Sequence, residues 1–163
     1  MSPRMAHGPD TLLEDYTISR LDLPETPVAE GGMPVRDVIR RMQEHRVGCV
    51  PVCRDGRVEG VFTDHDVLNR VLGKDGVESA PVRTVMSAPA VTITGGDSLA
   101  EAVRRMDRGR FRHLPVVDHQ GRPRAILSVR RILSFLAEFF PAEVINLAPH
   151  PDLQTGHRTP EGG

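Results

Sequence analysis

The chain has 163 residues, which is enough for one domain, or a pair of small domains, to bury a substantial hydrophobic core. Its 21 lysines and arginines against 22 acidic residues leave a net charge of −1, so overall charge favours neither a nucleic acid nor an anionic membrane as partner. The sequence has no apolar run near the ~20 residues of a membrane span and no signal-peptide pattern at its start, so we expect a cytoplasmic protein without a membrane partner.

The first 20 residues carry scattered charge and only a short apolar patch, at Leu12 and Leu13. This composition predicts an N-terminal arm over 1–20, either a tail or a loosely docked segment.

From about residue 26 onward the sequence repeats itself. Arg40-Arg41-Met42 returns as Arg104-Arg105-Met106, and Pro51-Val52 returns as Pro115-Val116, both after 64 residues. One inserted residue in the second copy lengthens the offset to 65 for the remainder. A register kept over this length predicts two copies of one structural unit.

Each copy shows the same order of predicted elements, beginning with a short strand at 27–29 or 90–94. Apolar residues spaced i, i+3, i+4 and i+7 then predict an amphipathic helix. They are Val35, Val38, Ile39 and Met42 in the first copy and Leu99, Ala102, Val103 and Met106 in the second. Two β-branched runs around a turn predict a strand–turn–strand unit, and a further apolar stripe predicts a second helix. The paired strands are predicted at 49–53 and 57–62, and at 113–117 and 122–127.

Each copy is therefore β-α-β-β-α, with too few strands to close its own core. We predict an α+β fold in which the two copies pack sheet to sheet. The first repeat is placed at 21–73, a linker containing glycine and proline at 74–89, and the second repeat at 90–140. Residues 141–163 are rich in proline and poor in apolar residues, which predicts a flexible C-terminal tail.

The last strand of each copy runs directly into the second helix, with a hydroxyl residue at the junction, Thr63 or Ser128. Free N–H groups and the positive end of the helix dipole attract anions, so each junction is a candidate site for phosphate or carboxylate. The two junctions are chemically unequal, because Asp66 of the first copy is replaced by Arg131 in the second.

The repeat length, the order of elements, the Pro-Val of the middle strand and the Thr63-x-x-Asp66 junction together resemble a tandem pair of cystathionine-beta-synthase (CBS) domains. The resemblance covers about residues 21–140 and implies a Bateman module, in which the copies are related by pseudo-two-fold symmetry. It implies clefts between the copies that can hold an adenine nucleotide such as AMP, ADP, ATP or NAD, or S-adenosylmethionine. It also implies a homodimer formed through helices. The chain leaves no room for a catalytic domain, so we expect a stand-alone module whose signal passes to an unidentified protein partner.

The resemblance assigns the ribose to Asp66. In the family an acid at this position accepts hydrogen bonds from both ribose hydroxyls, which a guanidinium cannot do because it has no acceptor. The pattern Thr63-x-x-Asp66 is also a capping box, which would stabilise its helix without any ligand, and both roles can hold at once. In the second copy, Ser128 and Arg131 correspondingly predict a degenerate site.

The resemblance places Arg112 and His113 at the phosphates of a nucleotide bound at Asp66, and Arg130 is the next candidate. An adenine ring would need an apolar slot, and four valines lie where the family lines it, although all four can equally be ordinary core residues. These are Val28, Val47, Val50 and Val61.

We expect no enzymatic activity, because no nucleophile stands near a plausible base and no glycine-rich phosphate loop occurs. The histidines and cysteines do not show the spacing of metal ligands, and the thiols of Cys49 and Cys53 are expected to be buried. No cofactor is expected beyond a regulatory adenine nucleotide. Two alternatives stay open. One is a dimerisation or interaction scaffold with empty clefts; the less favoured one is nucleic-acid binding through the arginines of 104–112, which are more typical of a solvated helix face.

Overall fold

A computed structural model of the chain describes residues 8–139. The start of the predicted arm at 1–7, residue 140 and the predicted tail at 141–163 lie outside the described residues. The helices are α1 (Pro9–Asp15), α2 (Val35–His45), α3 (Asp64–Asp66), α4 (Leu99–Gly109) and α5 (Val129–Phe139). The strands are β1 (Ala29–Glu30), β2 (Cys49–Arg54), β3 (Arg57–Thr63), β4 (Ile93–Thr94), β5 (His113–Val117) and β6 (Pro123–Ser128). A π-helical turn, Val67–Val71, continues α3, and short 3-10 helices occur at Ile18–Arg20, Val77–Ser79 and Val82–Thr84.

Each repeat contributes one three-stranded sheet, in the orders β1-β2-β3 and β4-β5-β6. In both sheets the first strand pairs parallel with the second, and the second pairs antiparallel with the third. A register shift interrupts both antiparallel pairs at matching positions, between Val52 and Cys53 and between Val116 and Val117. The predicted α+β fold of two β-α-β-β-α repeats is confirmed.

The two sheets meet along β3 and β5. In addition, the Val58 N–H in β3 donates a hydrogen bond at 3.0 Å to the carbonyl of Gly121, which lies in the turn between β5 and β6. Each repeat keeps its own hydrophobic core between its sheet and its helices. Fully buried members are Val35, Val38, Val50, Val52 and Phe62 in the first repeat and Ile93, Leu99, Leu114 and Leu127 in the second. Burial of each such side chain stabilises the fold by about 1.5–3 kcal/mol relative to leaving it exposed.

The amphipathic helices α2 and α4 cover these sheets as their apolar stripes predict. Ser98 caps α4 by accepting a hydrogen bond from the Glu101 N–H at 3.1 Å. Both helices end at an arginine in the left-handed conformation, Arg46 and Arg110, each with φ 54°. The two repeats therefore use the same device to turn the chain from helix into strand.

The segment that leads into each repeat packs on the other repeat. Ile18 and Leu21, near the start of the chain, belong to the core of the second repeat, whereas Val82 and Met86 belong to the core of the first. Residues 8–20 therefore differ from the predicted tail or loosely docked arm, and much of the predicted linker at 74–89 is also packed rather than loose. Sequence periodicity does not assign these segments to a repeat, because their apolar residues follow neither a helical nor a strand period.

The second helix of the first repeat is shorter than its counterpart α5. Its π-helical turn ends at Leu72, which is extended with ψ 131°, and Gly73 follows with φ 76°. Glycine adopts this left-handed conformation at no steric cost, so it ends the helix there. Leu68 and Leu72 on this turn are left 65% and 60% exposed.

Candidate functional site

Thr63 and Asp66 form a complete capping box at the start of α3. The Thr63 hydroxyl accepts a hydrogen bond from the Asp66 N–H at 3.2 Å. Asp66 Oδ2 in return accepts from the Thr63 N–H at 3.0 Å and from the Thr63 hydroxyl at 3.1 Å. The capping interpretation of this pair is therefore confirmed, and contact between Asp66 and a ligand stays a prediction.

Asp66 is also tied to a distant part of the chain. Its side chain is buried, with the residue only 2% exposed. Oδ1 accepts a hydrogen bond from the Ser87 hydroxyl at 2.9 Å and lies 3.7 Å from Arg70 Nε. A buried carboxylate costs several kcal/mol unless it is hydrogen-bonded and paired, and these contacts meet that requirement. Ser87 and Arg70 are thus site residues that the sequence analysis did not identify.

The connecting segment, Val85–Ser87, is held firmly against the first repeat. Val61 and Ser87 exchange two backbone hydrogen bonds, each 2.9 Å long. Arg70 Nη1 donates to the Met86 carbonyl at 2.7 Å and to the Val85 carbonyl at 3.2 Å. Asp66, Arg70 and the connecting segment consequently form one network at the head of α3.

The corresponding junction of the second repeat has the cap but not the network. The Ser128 hydroxyl accepts a hydrogen bond from the Arg131 N–H at 3.2 Å, as Thr63 does from Asp66. Arg131 supplies no acceptor, and Arg130 beside it is exposed. The two junctions are thus unequal in structure as well as in sequence.

His113 of the second repeat lies against the head of α3 in the first. A Cβ built on Gly48 would lie 3.0 Å from Asp64 Oδ2 and 3.7 Å from His113 Cε1, so the two side chains flank Gly48. The pKa of His113 is lowered, chiefly because burial disfavours its charged form; Asp64 opposes this shift and Arg112 adds to it. This region, where β3, β5 and the head of α3 meet, is called the seam below.

Equivalent backbone bonds within each repeat hold the junction next to the start of the middle strand. The Asp64 N–H donates to the Gly48 carbonyl at 3.0 Å, and the Val129 N–H donates to the Arg112 carbonyl at the same distance. Arg112, which immediately precedes β5, is exposed. Sequence reasoning does not single out Asp64. Its carboxylate, which flanks Gly48 together with His113, would oppose a phosphate placed beside it.

The four predicted valines differ in their surroundings. Val50 is fully buried in the core of the first repeat, which is the ordinary role weighed against a ligand contact. Val28, Val47 and Val61 are half-buried. Val47 packs against the same core, Val61 pairs with the connecting segment, and the Val28 carbonyl accepts a hydrogen bond from Arg41.

Cys49 and Cys53 are free, buried thiols, as predicted. Burial raises the pKa of Cys49 to about 12, and the carboxylates of Asp66 and Asp64 reinforce that shift. Between residues 8 and 139, no group of three or more His, Cys, Asp or Glu side chains is arranged to hold a metal ion. Over the same residues, no helix has the length and apolar character needed to cross a membrane.

Two arginines of the 104–112 cluster are committed to neighbours. Arg104 pairs with Glu14 at 2.7 Å and with Glu101 at 3.0 Å. Arg105 pairs with Glu101 at 2.8 Å and donates to the Thr92 carbonyl at 2.6 Å. These contacts favour the structural interpretation of this helix face over nucleic-acid binding.

Two surface depressions lie away from the head of α3. One, of about 350 Å³, is lined by Leu21, Leu23, Val117 and Arg124 among others. The second, of about 440 Å³, lies between α1 and α4 and is lined by Leu13 and Val103 among others. Neither contains any of the predicted site residues.

Comparison with known proteins agrees with this architecture. A family model described as CBS domain matches the chain twice, at residues 18–73 and 82–138. CBS domain-containing protein CBSCBSPB3 of Arabidopsis thaliana is 32% identical over 122 residues, which is 73% of this chain but only 22% of the plant protein. Protein MJ1225 of Methanocaldococcus jannaschii is similar in structure, with a TM-score of 0.69 and 25% identity over 78% of this chain and 50% of that one.

A further similar structure is the crystal structure of CBSX2 in complex with AMP. Its TM-score is 0.66 at 22% identity, and the match covers 76% of this chain and 97% of that one. The resemblance drawn from the repeat is confirmed by the two family matches, which together span well over half of the chain. This chain belongs to the CBS domain family, of which it carries two tandem copies.

Proposed function

We propose that the chain is a regulatory module that binds an adenine nucleotide in the cleft headed by Asp66 and passes the signal to a protein partner. One observation carries the proposal: His113 of the second repeat and the Thr63–Asp66 junction of the first approach each other across Gly48. The family resemblance assigns a phosphate to His113 and the ribose to Asp66, and the approach of these two segments supports a single cleft that uses both. The AMP bound by CBSX2, a protein of the same fold, supports the same ligand class.

The geometry of Asp66 sets a condition on binding. A carboxylate offers about four lone-pair positions. Three are used by the two Thr63 donors and Ser87, and Arg70 stands close to Oδ1. A ribose that binds with both hydroxyls must therefore displace at least one of these partners. Arg70 is 47% exposed, so its side chain can move aside without disturbing a packed core.

Regulation then follows from linkage. A ligand shifts the balance between two arrangements of the repeats only by as much as it binds one arrangement better. In this module the ligand site joins elements of both repeats, because the connecting segment and His113 reach the head of α3. Occupation of the cleft therefore acts on contacts between the repeats, which a protein partner can sense.

Calorimetric titration with AMP, ADP, ATP, NAD and S-adenosylmethionine tests the proposal. Asp66→Asn keeps the shape of the side chain but halves its acceptors, so it should abolish or strongly weaken binding. Asp107→Asn, an exposed substitution on α4, is the matched control and should bind like the wild type. Arg131→Asp should create a second site if the acid is what the second cleft lacks. If the wild type binds none of these ligands, the proposal is wrong.

A scaffold function is the second candidate, because leucines on the helices that follow the two junctions are exposed. Leu68, Leu72 and Leu133 are 65%, 60% and 54% exposed. Pairing of these helices in a homodimer would remove that apolar surface from water. Light scattering after size exclusion should show a dimer that Leu68→Glu disrupts and Asn69→Glu, on the same turn, does not. A monomeric wild type would exclude this second function.

A further inference from the structure

The two oxygens of the Asp66 carboxylate are held in different ways. Oδ2 is bound by the N–H and hydroxyl of Thr63, three positions earlier in the same junction. These bonds belong to the helix cap, and they persist as long as α3 is folded. Oδ1 is bound from outside the junction, by the Ser87 hydroxyl at 2.9 Å, with Arg70 Nε 3.7 Å away.

The partners of Oδ1 can leave without unfolding anything. Ser87 is fixed through its backbone, by the paired hydrogen bonds with Val61, and not through its hydroxyl. Rotation about one side-chain bond withdraws the hydroxyl from Asp66 and leaves both backbone bonds in place. Arg70 is half-exposed and ends on two carbonyls of the connecting segment. Oδ1 is therefore the exchangeable position of the carboxylate.

We propose that Ser87 is an internal competitor that occupies Asp66 Oδ1 in the ligand-free protein and sets the affinity of the cleft. This inference rests on the proposed function, since the incoming competitor is a hydroxyl of the bound nucleoside. A hydroxyl is the right group to exchange, because it replaces one O–H···O⁻ bond by another without leaving the buried carboxylate unpaired. The free protein thus keeps Asp66 satisfied, and the ligand gains only the difference between two similar bonds.

The exchange also connects the cleft to the path between the repeats. Ser87 is the last residue of the connecting segment, which follows the packed Val82 and leads towards β4 of the second repeat. When a ligand takes Oδ1, the hydrogen bond between Asp66 and Ser87 is lost, and the Val61 backbone pair remains. The second repeat has no such device, because Arg131 offers no carboxylate at the equivalent position.

Ser87→Ala titrated with AMP tests the competition directly. Removal of the internal donor should tighten AMP binding about tenfold, a difference of about 1.4 kcal/mol. Ser79→Ala is the matched control, because Ser79 lies in the same inter-repeat region but its hydroxyl accepts a hydrogen bond from Arg36 and does not contact Asp66. The affinity of this variant for AMP should equal that of the wild type. Ser87→Thr restores a hydroxyl and should return the affinity towards the wild-type value. Circular dichroism and urea unfolding of each variant establish that it is folded.

The outcomes separate this inference from the function on which it rests. Tighter binding of AMP by Ser87→Ala than by the wild type supports competition. If the wild type binds AMP and Ser87→Ala binds equally or more weakly, Ser87 is a bystander or a ligand contact, and the competition is refuted while the proposed function stands. If neither protein binds AMP or the other adenine ligands, both proposals fall.

Discussion

Alanine at Gly60 tests the close approach that holds the connecting segment against β3. A Cβ added at Gly60 would lie 2.8 Å from the Ser87 carbonyl oxygen and 2.7 Å from Met86 Sδ. The methionine side chain can adjust, but the Ser87 backbone is fixed by its two hydrogen bonds with Val61. Overpacking costs about 1–3 kcal/mol. Loss of the bonded pair adds about 1–3 kcal/mol. Relief of glycine's chain entropy returns about 0.5–1 kcal/mol.

The expected result is a fall of about 1–5 kcal/mol in the free energy of unfolding of Gly60→Ala, measured by urea denaturation. Gly96→Ala is the matched control: its Cβ would meet nothing within 4 Å, and its stability should change by less than about 0.5 kcal/mol. Ala125 occupies the position equivalent to Gly60 in the second repeat, so alanine fits the strand itself. If Gly60→Ala is as stable as its control, the connecting segment does not lie within contact distance of β3 at this position.

Three further outcomes are expected. Ile18→Ala should lower the free energy of unfolding, measured by urea denaturation, by about 2–5 kcal/mol. The reason is that Ile18 is only 1% exposed within the core of the second repeat. A loss below about 1 kcal/mol would mean that the segment before the first repeat is not part of that core. The lowered pKa of His113 favours its neutral form in the folded state, so stability should fall as the pH drops from 6.5 towards the folded pKa. His113→Gln should flatten this dependence when urea midpoints are measured against pH. An unchanged slope would contradict the burial of a neutral His113. The pKa of Cys49 is raised from 9.0 to about 12, so the stability that its buried neutral thiol contributes should be lost as the pH rises across that interval. At pH ~8 a thiol reagent should modify Cys49 only after unfolding. Rapid modification of Cys49 in the folded protein would show that the thiol is accessible.

Much of the fold could be predicted because its signals are local. The stripes from Val35 to Met42 and from Leu99 to Met106 place both amphipathic helices, and the repeat predicts the same element order in each copy. Thr63-x-x-Asp66 predicts a capping box over four consecutive residues, and that box is present. Each of these features depends on residues that are neighbours along the chain, so periodicity and spacing are sufficient to find them.

Features that depend on the path of the chain between repeats could not be predicted. Ile18, which precedes the first repeat, packs into the core of the second, and Val82, which precedes the second repeat, packs into the core of the first. Neither segment has an apolar periodicity that would indicate this packing. The family matches begin at residues 18 and 82 and so include Ile18 and Val82. The predicted repeats, which begin at residues 21 and 90, exclude both.

The sequence by itself determined that this chain is a duplicated α+β unit with one acidic and one basic junction, because those properties reside in residue identity and short-range order. Only the tertiary structure decided which distant groups lie at the acidic junction: the Ser87 hydroxyl, 21 residues away, shares Asp66 with its own cap, and His113 of the other repeat stands across Gly48. The reason is physical. A buried carboxylate must find donors wherever the folded chain brings them, and those donors carry no signal in the spacing of the residues around Asp66.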